Sequence, residues 1–267
     1  MSATASQLSN TFITINNLKD TTIYEKEGLS AFVFALKDYS IGYPNTFSIS
    51  EINNYLGQKY VLINRLLTND DVDNLKRILP SLQVTGIIFE DIALINILNN
   101  LHLSWQKILF QNHFNCNYAS IKCWLKYVDY VFISNELTIE EIKEIATNCP
   151  GKAIAHIFGL NQIMYSRRLL LTNFNQEFNL NNPLFSTITD KVSKIEFILS
   201  ESPYGTICYN KTIYNGQELF NVPNLHYFIN TSFIKDQDII SFIKGKELSI
   251  PTNDGFLHQK TIYKVGE

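Results

Sequence analysis

Residues 153–173 read AIAHIFGLNQIMYSRRLLLTN. An apolar run, Ile154 to Phe158, breaks at Gly159, and a polar stretch then presents Asn161, Gln162, Tyr165, Ser166, Arg167 and Arg168 before apolar residues resume. Short runs rich in β-branched and aromatic residues and closed by glycine read as strands, so this stretch is a strand, a turn and the start of a further element. The adjacent arginines admit two readings. Each guanidinium is a planar fork of donors suited to carboxylate or phosphate, which makes the pair an anion clamp at a strand end. Charged residues of this kind also form the solvated start of a helix.

The same strand signature recurs along the chain. Phe12 to Ile15, Ala31 to Leu36, Tyr60 to Ile63, Gly86 to Phe89, Lys107 to Phe110 and Tyr130 to Ile133 precede Ala153 to Phe158, and Leu225 to Ile229 follows it. Between the first seven lie segments of helical spacing, the clearest being Val72, Leu75, Ile78, Leu79 and Leu82, and Ile139, Ile142, Ile145 and Ala146. Ser48 with Glu51 and Thr138 with Glu141 have the capping-box spacing, in which hydroxyl and carboxylate satisfy orphan backbone donors reciprocally. Alternation at roughly two dozen residues per unit predicts a parallel sheet. Eight such units predict an α/β fold, a single closed (β/α)8 TIM-type barrel domain over residues 11–267. An open doubly wound sheet is the alternative. No G-x-G-x-x-G or G-x-x-x-x-G-K-(S/T) follows any strand, so no dinucleotide or phosphate-loop site is indicated.

The period fails between the seventh and eighth strands. Lys194 to Leu199 and Gly205 to Tyr214 read as strands, with Tyr204-Gly205 and Asn215-Gly216 as turn signals, so a β excursion is expected at about residues 190–220, on the C-terminal rim of the barrel. Asp236 to Ile243 is expected as the last helix, residues 250–267 as a C-terminal tail with GFLHQKTIYKV extended, and residues 1–10 as a disordered N-terminus.

Composition narrows the function classes. With 45% hydrophobic and 18% charged residues the chain is an ordinary globular one, and no apolar run reaches the ~18 residues that span a bilayer. The opening MSATASQLSN has neither a basic nor an apolar leader segment, so a cytoplasmic protein without membrane contact is expected. A net charge of −3 means that any nucleic-acid contact comes from a local patch. Cys116, Cys123, Cys149 and Cys208 form no C-x-x-C and have no histidine at finger spacing, so reduced thiols are expected and no metal site.

Chemistry in a barrel of this kind belongs to the loops after the strands. The residues there are Asn64 and Arg65, Glu90 and Asp91, Gln111 and His113, Asn135 and Glu136, and Tyr165 to Arg168. Asp91, His113, Glu136 and Tyr165 are the candidate catalytic groups. Asp91 is either a base or a helix cap. His113 is a proton shuttle or a plain polar contact. Glu136 pairs with Arg167 or Arg168 across the mouth, or leads a helix. Asn64, Arg65, Ser166, Arg167 and Arg168 are the candidate binding groups, for a small carboxylate or an RNA phosphate. No Ser, Cys or Thr comes with a recognisable base pattern.

Gly159, Met164, Tyr165, Ser166, Arg167, Arg168, Leu170, Asn173 and Phe174 resemble the signature region of the peptidase U32 family, the collagenase-like proteins. The resemblance extends over about Glu27 to Phe174. Gly28, Ala31, Phe47, Ser48 and Ser50 match its G-A-D-A…F-S-x-E region, Asn64 its V-N-x turn, Phe89 to Ala93 its F-x-D-P-A turn, Asn117-Tyr118 its T-N-Y, and Ser134 to Leu137 its S-R-E-L. The family name implies a peptidase, a hydrolase. The short cysteine-poor members imply instead bacterial tRNA wobble-uridine hydroxylation to 5-hydroxyuridine, with prephenate as co-substrate, tRNA as partner and assembly as a homo-oligomer or with another U32 protein. This chain departs from the pattern at several polar positions. Leu169 stands where many members carry a cysteine and no cysteine pair follows, so no iron–sulfur cluster, and no other cofactor, is expected. Ala35 and Gly42 replace a glycine and an arginine, Asn135 replaces the arginine of S-R-E-L, and Phe158 replaces a histidine. These losses imply a third reading, a divergent non-catalytic partner subunit.

Overall fold

Strands that are buried on both faces require helices packed outside them and side chains packed within, the condition of a parallel barrel. The computed structural model, which describes residues 2–111 and 113–259, meets it. Strands β1 (Thr11–Thr14), β2 (Ala31–Ala35), β3 (Lys59–Ile63), β4 (Gly86–Phe89), β5 (Gln106–Leu109), β6 (Tyr130–Phe132) and β7 (Ala153–Gly159) follow one another in parallel. The chain then leaves the barrel through β8 (Gln162–Ser166), β9 (Phe185–Thr189), β10 (Glu196–Ser202) and β11 (Gly205–Asn210). After the short β12 (Ile213–Asn215), strand β13 (Leu225–Ile229) returns between β7 and β1, with Phe228 opposite both His156 and Phe12. That double pairing closes an eight-stranded ring and excludes the open sheet.

The outer layer begins with α1 (Ala5–Ser9) and continues through α2 (Leu18–Glu25), α3 (Ile49–Asn54), α4 (Asn69–Ile78), α5 (Ala93–Asn100), α6 (Tyr118–Trp124) and α7 (Ile139–Asn148). The two periodic faces are those read from the sequence: Leu75, Leu79 and Leu82 are buried, and α7 buries Ile139, Ile142, Ile145 and Ala146. Ser48 with Glu51 and Thr138 with Glu141 form complete capping boxes, each worth about 1 kcal/mol to its helix.

The barrel interior is unusually aromatic. Phe12, Tyr60, Phe110, Phe132, Ile154 and Phe228 belong to one buried cluster. Phe110 and Phe228 each meet Phe132 edge to face, at 4.6 and 5.1 Å between centroids. Each contact adds about 0.5–1.5 kcal/mol beyond burial of the area.

Three boundaries differ from the sequence reading. The excursion spans β8 to β11, so it begins well before residue 190, and it forms its own antiparallel sheet in the order β8-β11-β10-β9. It encloses α8 (Leu170–Glu177). Of the stretch expected as a disordered arm, residues 2–10 are described and are not one, because Ala5–Ser9 is helical: Thr4 and Gln7 close a capping box and Leu8 is buried. After α9 (Asp236–Ile243), which has the expected bounds, the tail is not simply extended. The two-residue β14 (Thr252–Asn253) pairs with β12, and a turn then buries Leu257, whose carbonyl accepts the Ile139 N–H at 3.0 Å. The rest of the tail, residues 260–267, lies outside the described residues.

Gly159 ends β7 with φ at +132°, and a Cβ there would run into the Asn230 carbonyl. Gly159→Ala is expected to lower stability by about 2 kcal/mol or more, read from the urea midpoint. Unchanged stability would mean that β7 and β13 do not approach as described.

Candidate functional site

The C-terminal ends of the strands form a mouth, and the excursion lies over it. Tyr209 of β11 is buried there and donates its hydroxyl to the Gly42 carbonyl at 2.8 Å. With Tyr43, Phe110 and Phe228 it fills the axis, leaving a space of about 20 Å³ beside Asn135, His156 and Asn230. That is room for about one water. His156 has both ring nitrogens engaged, Nε2 at 2.8 Å from the Phe158 carbonyl and Nδ1 at 2.9 Å from the Asn161 amide. Burial brings its pKa down to about 4, so it is a neutral, fixed ring at ordinary pH.

A larger cavity, about 190 Å³, opens beside the axis between the ends of β3, β4, β5 and β8. Glu90 and Asp91 line it from the end of β4. Glu90 is half-buried, and enclosure away from water raises its carboxyl to about pH 8. Its charge in turn bears on the half-buried Tyr43 and the buried Tyr209, whose phenols burial already pushes up. Tyr165 is half-buried, donates its hydroxyl to the Tyr204 carbonyl at 3.1 Å, and has its pKa raised chiefly by burial.

The other candidate catalytic groups are more ordinary. Asp91 accepts the Ala93 N–H at 2.9 Å, just ahead of α5, while still facing the cavity. His113 lies 3.8 Å from Glu136, with both side chains well exposed. Glu136 therefore meets His113 and not the arginines.

The binding candidates separate into two groups. Asn64 is buried, and both ends of its amide hold Ile41: Oδ1 accepts the Ile41 N–H at 3.0 Å and Nδ2 donates to the Ile41 carbonyl at 3.1 Å. Arg65 is buried too, ion-paired with Asp71, bonded to the Asp38 carbonyl at 2.6 Å and placed over the Tyr204 ring at 4.2 Å. Both residues tie loops to the rim. Arg167 and Arg168 are exposed, and neither takes part in an ion pair among the described residues. Their backbone is nonetheless fixed. Ser166 Oγ accepts the Arg168 N–H at 3.2 Å, and the Arg168 carbonyl lies 3.0 Å from the Thr206 hydroxyl, whose single proton it shares with Glu201.

Glu201, which the sequence reading passed over, holds this corner. Its carboxylate accepts the Leu171 N–H at 2.7 Å, the Thr172 N–H at 3.0 Å and the Thr206 hydroxyl at 2.7 Å, anchoring the start of α8. Burial alone would raise its pKa, but these hydrogen bonds outweigh burial and hold it low. Its partner Thr172 is 29 residues away, so no local spacing revealed it.

The sequence profile of peptidase family U32 matches residues 16–182, a span that covers most of the barrel and the arginine corner. The chain belongs to peptidase family U32. No curated protein matches its sequence. Among solved structures, the chitinase of Chromobacterium violaceum shares 9% identity over 88% of this chain and 97% of its own, at a TM-score of 0.45. The Bacillus cereus spore cortex-lytic enzyme SleL shares 10% over 92% and 72%, at 0.41. Phosphoribosyl anthranilate isomerase of Thermus thermophilus shares 12% over 55% and 75%, also at 0.41. Likeness at that level carries nothing about activity.

Within this U32 chain the cysteines do not fit an iron–sulfur cluster. Cys116 and Cys123 are exposed, while Cys149 and Cys208 are buried with their thiols pushed up by burial. Among the described residues no three His, Cys, Asp or Glu side chains group as metal ligands. No helix among them is long and apolar enough to cross a membrane.

Glu90 gives a test of the site's electrostatics. Its folded pKa lies above the unfolded value, so the stability it contributes is present below about pH 4.5 and is lost as pH rises through about 8. Glu90→Gln is expected to be nearly neutral at pH 4 and to stabilise by about 2 kcal/mol at pH 9, measured by urea unfolding at the two pH values. An equal effect at both would show that Glu90 is not enclosed.

Proposed function

We propose that this U32 protein takes part in hydroxylation of the tRNA wobble uridine to 5-hydroxyuridine, acting in the cytoplasm on RNA held at the barrel mouth. The observation that carries the reading is the Arg167–Arg168 corner: two exposed guanidiniums without a carboxylate partner among the described residues, on a backbone fixed by Thr206 and Ser166. On a chain of net charge −3 such a corner is a local anion site, suited to an RNA phosphate or to a small carboxylate such as prephenate. A peptidase reading is weaker. The barrel axis holds about 20 Å³ and no polypeptide, and the buried thiols are held protonated.

A second reading has its own support. Asn135 stands where family members carry arginine, and its amide is spent on Asn161 at 3.1 Å. Such losses favour a supporting subunit that binds RNA beside a catalytic U32 partner.

Deletion of the gene followed by mass spectrometry of tRNA nucleosides separates the readings. Loss of 5-hydroxyuridine derivatives that wild type restores and the Arg167→Ala/Arg168→Ala double variant does not is the expected outcome. The folded double variant should bind RNA at least tenfold more weakly in low salt. Unchanged nucleosides would remove the proposal, and full rescue by the double variant would remove the arginines from it.

A further inference from the structure

The cavity beside the axis is built for more than a small anion. Its walls are apolar and open: Phe114 is 76% exposed and Leu66 is 44% exposed, and both face the same space. An aromatic ring left in water on a loop at the functional end of a barrel is a platform on which a planar group can stack. Between the walls stand Glu90, Gln111 and Gln162, brought from the ends of β4 and β5 and from β8. Neither glutamine amide has a hydrogen-bond partner among the described residues, and burial alone accounts for the shift at Glu90.

From this arrangement we infer that the cavity receives an extruded uracil base, stacked on Phe114 and read along its edge by Glu90, Gln111 and Gln162. The inference rests on the RNA reading above and names the group that enters. Uracil presents two carbonyl acceptors on either side of one N–H donor. Each glutamine amide offers both a donor and an acceptor, and a protonated carboxyl supplies a further donor. An extruded base is recognised in just this way, by hydrogen bonds to its pairing edge and by stacking between aromatic or apolar side chains. The volume of about 190 Å³ admits one base and not a stretch of chain. Gln162 stands at the start of β8 and Arg167 directly after its end, so one short strand carries both the cavity wall and the arginine corner.

Protonation of Glu90 is the sensitive point. As a carboxylate it would oppose a base carbonyl with a second acceptor. The titratable groups that face it are Asp91 and His113 in the cavity, and Tyr43, Tyr165 and Tyr209 from the loop after β2 and the excursion. The three tyrosines have raised pKa values and stay neutral through the range that matters.

The test uses the full chain and fluorescein-labelled short hairpin RNAs whose loop carries one unpaired uridine or an abasic site at that position, read by fluorescence anisotropy. The uridine hairpin should bind roughly tenfold more tightly than the abasic one. Phe114→Ala, a surface change whose folding is checked by circular dichroism, should remove that preference and leave abasic binding intact. Between about pH 6.5 and 8.5 the uridine preference should fall severalfold in wild type, whereas Glu90→Gln should keep it level. Equal binding of the two hairpins by wild type, or equal loss of both with Phe114→Ala, overturns the base pocket while leaving the arginine corner in place. Uridine preference in a protein whose deletion leaves tRNA nucleosides unchanged supports the pocket and removes the wobble-uridine reading instead.

Discussion

The architecture above the barrel depends on one close backbone approach, at Gly159. There β7 meets β12 on its end, with Tyr214 opposite Gly159, while β13 runs on beside it and Asn230 donates its N–H to the Phe158 carbonyl at 2.8 Å. A side chain at that position would push Asn230 away, and with it the strand that closes the ring. The positive φ of the same residue turns the chain out of the barrel into β8. One glycine therefore both permits closure and launches the excursion that covers the mouth.

What the excursion does to the mouth sets the chemistry. At the mouth β11 lowers Tyr209 onto the axis, and the Gly42 carbonyl fixes the ring by its hydroxyl. Gly42 itself has φ at +84° and packs directly under that ring, so a larger residue at that position, such as the arginine of the family pattern, would displace Tyr209. Glycine at position 42 and the plugging of the axis by Tyr209 therefore go together. Open space lies off the axis instead, as in the cavity at Glu90.

The barrel was legible because its signals are local. Apolar runs at a regular period, and hydroxyl–carboxylate spacings such as Ser48 with Glu51, report on contacts a few residues apart. The excursion was legible in part: Gly159 and Gly205 mark turns, whereas β9 has no glycine beside it and is defined only by pairing with β10. At the site, residue type was visible and environment was not. Arg65 and Arg167 look alike in sequence, yet Arg65 is consumed by Asp71 and Tyr204 while Arg167 is exposed. Asp91 drew attention ahead of Glu90, but Asp91 caps a backbone N–H and Glu90 is the carboxyl left enclosed without a partner. Enclosure is a property of three other loops, so it has no signature in the residues around Glu90.

Glu90 and His156 also share a thermodynamic meaning. Each is an ionisable side chain kept neutral by burial, and each withholds stability at some pH that an uncharged residue would supply. His156 answers that cost with hydrogen bonds to Phe158 and Asn161, which hold the turn leading into β8, so its place is explained by the fold. Glu90 has no such return among the described residues. Its neighbours across the cavity are amides and an exposed aromatic ring that are equally unspent. A group that opposes folding and completes no internal network among the described residues is what the proposed base pocket accounts for, since a protonated carboxyl there would donate to an acceptor on the edge of a flat ligand.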